Sequence, residues 1–251
     1  MSIQENPWFQ VYSSTSVIES RLFCFPFAGG AATAFSNWHR FLPEGVQVCA
    51  LKLPGHFGRL SEPCLTNLEV LVQRIFAEIT PLLEEYPFYF FGHSMGARVA
   101  YELSVSLQTE QLPLPKELFV SAAVAPHLER RKKLIHKVND TDFMTEVVQI
   151  NGTPLGVFEN AELREISLPI LRADFELCET WKNEKRATLP TPLRAFGGLR
   201  DPGVNTQELD AWQECTESEF KRHLFPGDHF YQLENEQKLL SLLSRYILLS
   251  E

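Results

Sequence analysis

Ser94, Asp201 and His229 occur in that order along a chain of 251 residues, and together they could make and break acyl bonds. A serine hydroxyl is a weak nucleophile until a neighbouring base takes its proton. An imidazole is such a base when a carboxylate fixes its tautomer and stabilises the imidazolium that forms. Ser94 sits in Gly92-His93-Ser94-Met95-Gly96, after the aromatic run Pro87-Phe88-Tyr89-Phe90-Phe91 and before a helix-like run from Ala97 to Leu103. Small residues at 92 and 96 permit a sharp, strained strand-to-helix turn that lifts the hydroxyl clear of a sheet. The turn also puts Ser94 at a helix N-terminus, where free N–H groups favour negative charge.

Position selects the partners. Of seven histidines, only His229 follows the last strand-like run, at 220–225. His39 falls on a helix, His93 inside the turn and His223 within a strand, while His56, His127 and His136 come too early. Asp201 leaves a strand end behind Gly197-Gly198. Asp228 adjoins His229 and would have to bend back on its own neighbour, and Asp174 lies within a helical run. An oxyanion needs two backbone donors. The N–H of Met95 follows the nucleophile, and a second is expected from Pro26-Phe27-Ala28-Gly29-Gly30, at Phe27 or Ala28.

Strand ends must hold these groups. Apolar runs at 21–25, 46–53, 87–91, 118–124, 192–198 and 220–225 alternate with helical patterns at 33–42, 66–83, 97–103, 168–181, 206–212 and 234–249. Thr66 with Glu69 reads as a capping box that opens the second of these helices. The alternation predicts a mostly parallel sheet with helices on both faces. The order nucleophile, acid, histidine is that of an α/β-hydrolase, so the expected fold is one α/β-hydrolase domain over 1–251. Residues before about 19 show no strong period and read as a loosely held lead-in.

From 127 to 167 the alternation breaks. The stretch starts with Arg130-Arg131-Lys132-Lys133 and carries Phe143, Met144, Val147, Val148 and Ile150, then Leu155, Val157 and Phe158. A long insertion between sheet elements is usually functional. A helical lid over an acyl chamber is expected, with Phe143, Met144 and Phe158 on its wall. The chain is 44% hydrophobic with a formal net charge of −9, which argues against nucleic acid or an anionic membrane as partner. No apolar run reaches the length of a membrane span. Five widely spaced cysteines form no zinc or redox spacing. With no secretory pattern over residues 1–6, a cytoplasmic protein without a metal is expected, and a monomer.

Pro26-Phe27-Ala28-Gly29-Gly30, Trp38, Leu53-Pro54-Gly55, Arg59, Glu62-Pro63, Gly92-His93-Ser94-Met95-Gly96, Ala125-Pro126, Arg172-Ala173-Asp174 and Gly227-Asp228-His229-Phe230 resemble the type II thioesterases. These stand-alone hydrolases accompany polyketide synthases, nonribosomal peptide synthetases and animal fatty acid synthase. The resemblance covers about Leu22 to Leu233. It implies hydrolysis of acyl groups from the phosphopantetheine arm of an acyl or peptidyl carrier domain, in an editing role, with no bound cofactor. It favours Phe27 over Ala28 as oxyanion donor. The chain departs from the family pattern at His56, where arginine is usual, and at Asp228, where glycine is frequent. Carrier domains are usually acidic, so Arg130, Arg131, Lys132 and Lys133, with Lys137, become the expected docking surface. Two other readings stay open: an esterase or acyltransferase on free small molecules, and a non-catalytic acyl-binding module, against which the complete serine, histidine and aspartate set counts.

Overall fold

The computed structural model describes residues 3–128, 134–150, 155–182 and 187–250. Seven strands form one sheet in the order β1-β3-β2-β4-β5-β6-β7. They are β1 (Phe9–Tyr12), β2 (Ser20–Phe25), β3 (Val46–Leu51), β4 (Phe88–His93), β5 (Leu118–Ser121), β6 (Leu193–Gly198) and β7 (Phe220–Phe225). Every pairing is parallel except that of β1 with β3.

The strand period of two divides the core. Phe23, Phe25, Phe88, Phe90, Leu118 and Val120 face one apolar layer, while Leu22, Cys24, Tyr89, Phe91 and Phe119 face the other. Strands buried on both faces read as continuous apolar runs, as these do. On the first face lie α1 (Leu68–Ile79) and α2 (Met95–Thr109). The excursion between β5 and β6 carries α3 (Asp140–Gln149), α4 (Leu155–Glu159) and α5 (Ala161–Thr180). After β6 come α6 (Thr206–Asp210) and, beyond β7, α7 (Tyr231–Glu234) and α8 (Glu236–Leu249), whose Leu239, Leu240, Leu243 and Ile247 seal the second face. Among the described residues, no helix is long and apolar enough to cross a membrane.

Four sequence expectations change. The lead-in is not loose: β1 adds an antiparallel edge strand, and Trp8 and Phe9 are buried. Residues 33–42 form two 3₁₀ turns, Ala32–Phe35 and Trp38–Arg40, instead of an α-helix. Ser36 and Asn37 separate them, and Phe35, three residues before Trp38, meets it edge-on while Phe41 stays 45% exposed. The cap of α1 is Asn67, whose side chain accepts from the Val70 N–H at 3.0 Å, so Thr66 lies outside the helix. Finally, α5 starts at Ala161 under an Asn160 cap and runs through Pro169. Leu168-Pro169 imitates a start because proline suits a first helical turn.

Candidate active site

The site is built where strand order reverses. After β2 the chain moves outward to β3 and returns to β4 on the other side of β2. Loops leaving neighbouring strands at such a point diverge and leave a crevice at their C-terminal ends. The 26–30 loop leaves β2, and Ser94 leaves β4, whose Gly92 is in register with Phe25.

Sterics fix the turn at Ser94. Its φ is +55° and its ψ is −111°, unusual for a residue with a Cβ. A Cβ on Gly92 would sit 2.1 Å from the Gly96 carbonyl oxygen, and one on Gly96 would sit 1.9 Å from the Phe25 carbonyl oxygen. Only glycine fits at either place. The Ser94 N–H donates to the Ser121 carbonyl at 2.7 Å, which anchors the turn to β5. As the first residue of α2, Met95 carries an N–H with no intrahelical acceptor.

The last two strands bring up the base and the acid. Gly198 pairs with Phe225, and the Arg200 N–H donates to the Gly227 carbonyl at 2.8 Å, which ties the two loops together. His229 Nε2 lies 3.0 Å from Ser94 Oγ, and His229 Nδ1 lies 2.8 Å from Asp201 Oδ2. A carboxylate only accepts, so Nδ1 carries the proton and Nε2 is left to accept from the hydroxyl. Asp201 Oδ1 accepts from the N–H groups of Gly203 at 2.7 Å and Val204 at 3.2 Å. Its side chain is fully buried. Asp228, the rejected alternative, accepts instead from the Phe230 N–H at 2.9 Å.

His93 and Phe230 wall the imidazole of His229, and Phe27 packs edge-on against both of them. Ring centroids are 5.0 Å apart for Phe27 and Phe230, 5.1 Å for His229 and Phe230, and 5.4 Å for His93 and His229. Burial, then the neighbouring His229, pushes the basicity of His93 well below the usual imidazole range. A neutral His93 does not oppose charge on His229.

The 26–30 loop is held from two sides. Its own turn is closed by the Gly30 N–H donating to the Phe27 carbonyl at 2.8 Å. The Gly29 N–H donates to Asp174 Oδ2 at 2.7 Å, and the same oxygen lies 2.9 Å from His56 Nε2. That spends Gly29 on α5 and leaves the amides of Phe27 and Ala28 as the loop's candidates to face Ser94. In the sequence Asp174 stands out as an alternative partner for His229 and as part of Arg172-Ala173-Asp174, with no sign of its tie to the 26–30 loop. The missed signal is its place on the apolar face of α5, with Ile170, Leu171, Ala173 and Leu177, where a carboxylate is costly unless bonded.

Phe143 and Phe158 join Ile135, Val147 and Leu171 in a separate apolar cluster, with Met144 packed against it. Phe143 is fully buried, edge-on to Phe175 at 5.5 Å, with the Arg172 guanidinium 4.4 Å above its ring. The structure therefore places Phe143 and Phe158 inside the excursion's own core. Arg130, Arg131, Lys132 and Lys133 lie outside the described residues; Lys137 is exposed.

A family model described as thioesterase domain matches residues 20–247. Gramicidin S biosynthesis protein GrsT of Aneurinibacillus migulanus is 39% identical over 244 residues, covering 97% of this chain and 95% of that protein. The human medium-chain S-acyl fatty acid synthase thioesterase is 30% identical over 236 residues, covering 91% of this chain and 86% of that protein. Among solved structures, the type II thioesterase BorB from the borrelidin biosynthetic cluster superposes with a TM-score of 0.87 at 31% identity, over 96% of this chain and 97% of that one.

Proposed function

The chain belongs to the thioesterase family and hydrolyses thioesters; from that premise, we propose that it releases acyl groups from the phosphopantetheine arm of carrier domains of a polyketide or nonribosomal peptide synthase. The observation that carries the reading is the unbroken relay Ser94–His229–Asp201 at a strained turn beside the 26–30 loop. Relatives named for gramicidin S and borrelidin biosynthesis support the synthase setting, and the human relative is named for fatty acid synthase.

In this mechanism His229 takes the Ser94 proton as the hydroxyl attacks the thioester carbonyl carbon. Asp201 holds the imidazole by Nδ1 and stabilises its charge. The N–H groups of Met95 and Phe27 receive the oxyanion, and removing one such donor typically costs on the order of 10²–10³ in rate. Collapse of the tetrahedral intermediate breaks the carbon–sulfur bond and gives the arm its proton from His229. Water, deprotonated by His229, then releases the acid from Ser94. No step requires a metal or bound cofactor. The excursion from 127 to 167 acts as a lid, with the half-buried Met144 toward the acyl chain. An acidic carrier approaches over Arg130 to Lys133 and Lys137 on a protein whose net charge is −9.

Turnover of an acyl-carrier protein against a matched p-nitrophenyl ester tests the substrate class. The proposal expects kcat/KM to favour the carrier. Preference for the free ester would make the protein an esterase of small molecules, and failure of Ser94 to react with a fluorophosphonate would leave an acyl-binding module.

A further inference from the structure

A second histidine–aspartate pair lies on the far side of the 26–30 loop. Asp174 is 2% exposed and His56 is 3% exposed. Two donors converge on Asp174 Oδ2: the Gly29 N–H at 2.7 Å and His56 Nε2 at 2.9 Å. The other ring nitrogen, His56 Nδ1, lies 3.1 Å from the Pro54 carbonyl oxygen. Both nitrogens thus face groups that can only accept. A neutral imidazole has one proton and would turn a lone pair on one of them, whereas an imidazolium satisfies both. Contact between α5 and the loop is direct as well, since a Cβ on Gly29, at φ +74°, would meet Leu171 Cδ2 at 2.5 Å.

We propose that the His56–Asp174 ion pair is a latch: it locks the Gly29 N–H onto α5 and so positions the Phe27 N–H, two residues earlier in the same loop, for the oxyanion. Both are positioning residues, since neither touches the acyl group. The latch rests on the hydrolytic reading above. It gives α5 a direct hold on the loop that carries the oxyanion donor, and it works only while His56 is charged.

Other groups around the pair leave that dependence on His56. Burial opposes charge on His56, but the hydrogen bond and charge of Asp174, with the Pro54 carbonyl, outweigh it, so the imidazole's pKa is raised. The Cys64 thiol faces Asp174, and its pKa is raised by burial and then by that carboxylate. In the same loop Arg59 is engaged with Glu62 and the Lys52 carbonyl. An upward shift means that the ion pair is fully formed below the ordinary histidine pKa of about 6.5. It is lost as pH rises through the higher folded value. The rate should therefore fall toward alkaline pH as His56 loses its proton.

The test is kcat and KM against pH on a small acyl-pantetheine thioester, with thermal melting alongside, for wild type, Asp174→Asn, His56→Gln, His56→Arg and Cys64→Ser. Asp174→Asn and His56→Gln should lower kcat about tenfold, less than outright loss of an oxyanion donor, with KM little changed. His56→Arg should recover what His56→Gln loses and abolish the alkaline fall, because guanidinium does not titrate there. Cys64→Ser should keep the fall. Variants that melt earlier yet retain kcat would reduce the pair to a fold support. An alkaline fall that survives in His56→Arg, or disappears in Cys64→Ser, would overturn the latch. Should Asp174→Asn fail to fold, the two His56 variants decide alone. Ser94→Ala, run in parallel, separates the levels: activity without Ser94 sinks the hydrolytic reading, whereas an inert Ser94→Ala beside a fully active His56→Gln sinks only the latch.

Discussion

The strand-end edge and the excursion between β5 and β6 are both needed for the proposed chemistry, yet they are held in different ways. At the edge, strand register and backbone contact do the positioning. Ser94 is pinned between Gly92, Gly96 and the Ser121 carbonyl, and Asp201 and His229 leave adjacent strands. In the excursion a few side chains clamp the backbone. Arg172 donates to the carbonyls of His136 at 2.6 Å and Val138 at 2.9 Å and pairs with Asp140 at 2.6 Å. Glu179 accepts from the N–H groups of Ile135 at 3.1 Å and His136 at 3.0 Å, and from the His136 ring at 2.5 Å. Only a small apolar cluster lies beneath them. A chemical centre must hold sub-ångström geometry, which a sheet provides, whereas a cover must open, and openings are drawn from weakly tied regions.

Substitutions should separate the two regions by the kind of damage they do. The largest effect belongs to Ser94→Ala, which should cut thioester turnover by on the order of 10⁴–10⁶-fold with melting unchanged; a retained hundredth of the rate would remove Ser94 from the mechanism. Gly96→Ala comes next. Its Cβ would meet the Phe25 carbonyl oxygen at 1.9 Å, so loss of activity should come with a lowered melting temperature. An active, equally stable variant would show that the turn is not fixed by sterics. Arg172→Ala should do the opposite: amide exchange over 135–149 should quicken while the strands stay protected, and kcat/KM should fall by about tenfold or less. Exchange rising across the whole sheet would erase the contrast. Met144→Ala, at the half-buried edge of the excursion's core, should alter acyl-length preference, whereas Phe143→Ala and Phe158→Ala, inside it, should lower rates for all lengths alike. Smallest is Lys137→Glu, expected to raise KM for an acyl-carrier substrate a few-fold at low salt and hardly at all at high salt, because exposed charges act weakly and mainly on association.

The same contrast explains what the sequence disclosed. Gly-x-Ser-x-Gly between an aromatic run and a helical one encodes a local steric solution, so the turn at Ser94 could be read directly. Asp201 and His229 could be read because strand ends are marked by apolar runs and their order is constrained. What escaped was non-local. The edge strand Phe9–Tyr12 is only four residues long and gains its structure from β3. The ties of Arg172, Glu179 and Asp174 join residues 32 to 145 positions apart, and no period announces such pairs. His56 could be noticed only as a departure from the family pattern. Its partner became visible when α5 was laid across the 26–30 loop.

The central claim is that carrier-bound acyl groups pass through Ser94. Rapid mixing of wild-type protein with acyl-carrier protein, quenched in acid and analysed by mass spectrometry of the peptide containing Ser94, tests it most directly. The expected result is a burst of free carrier thiol no larger than the amount of enzyme, matched by an acyl adduct on Ser94 that decays as free acid appears. Turnover of the carrier substrate that continues at full rate in Ser94→Ala, or an adduct found on another residue, would contradict it.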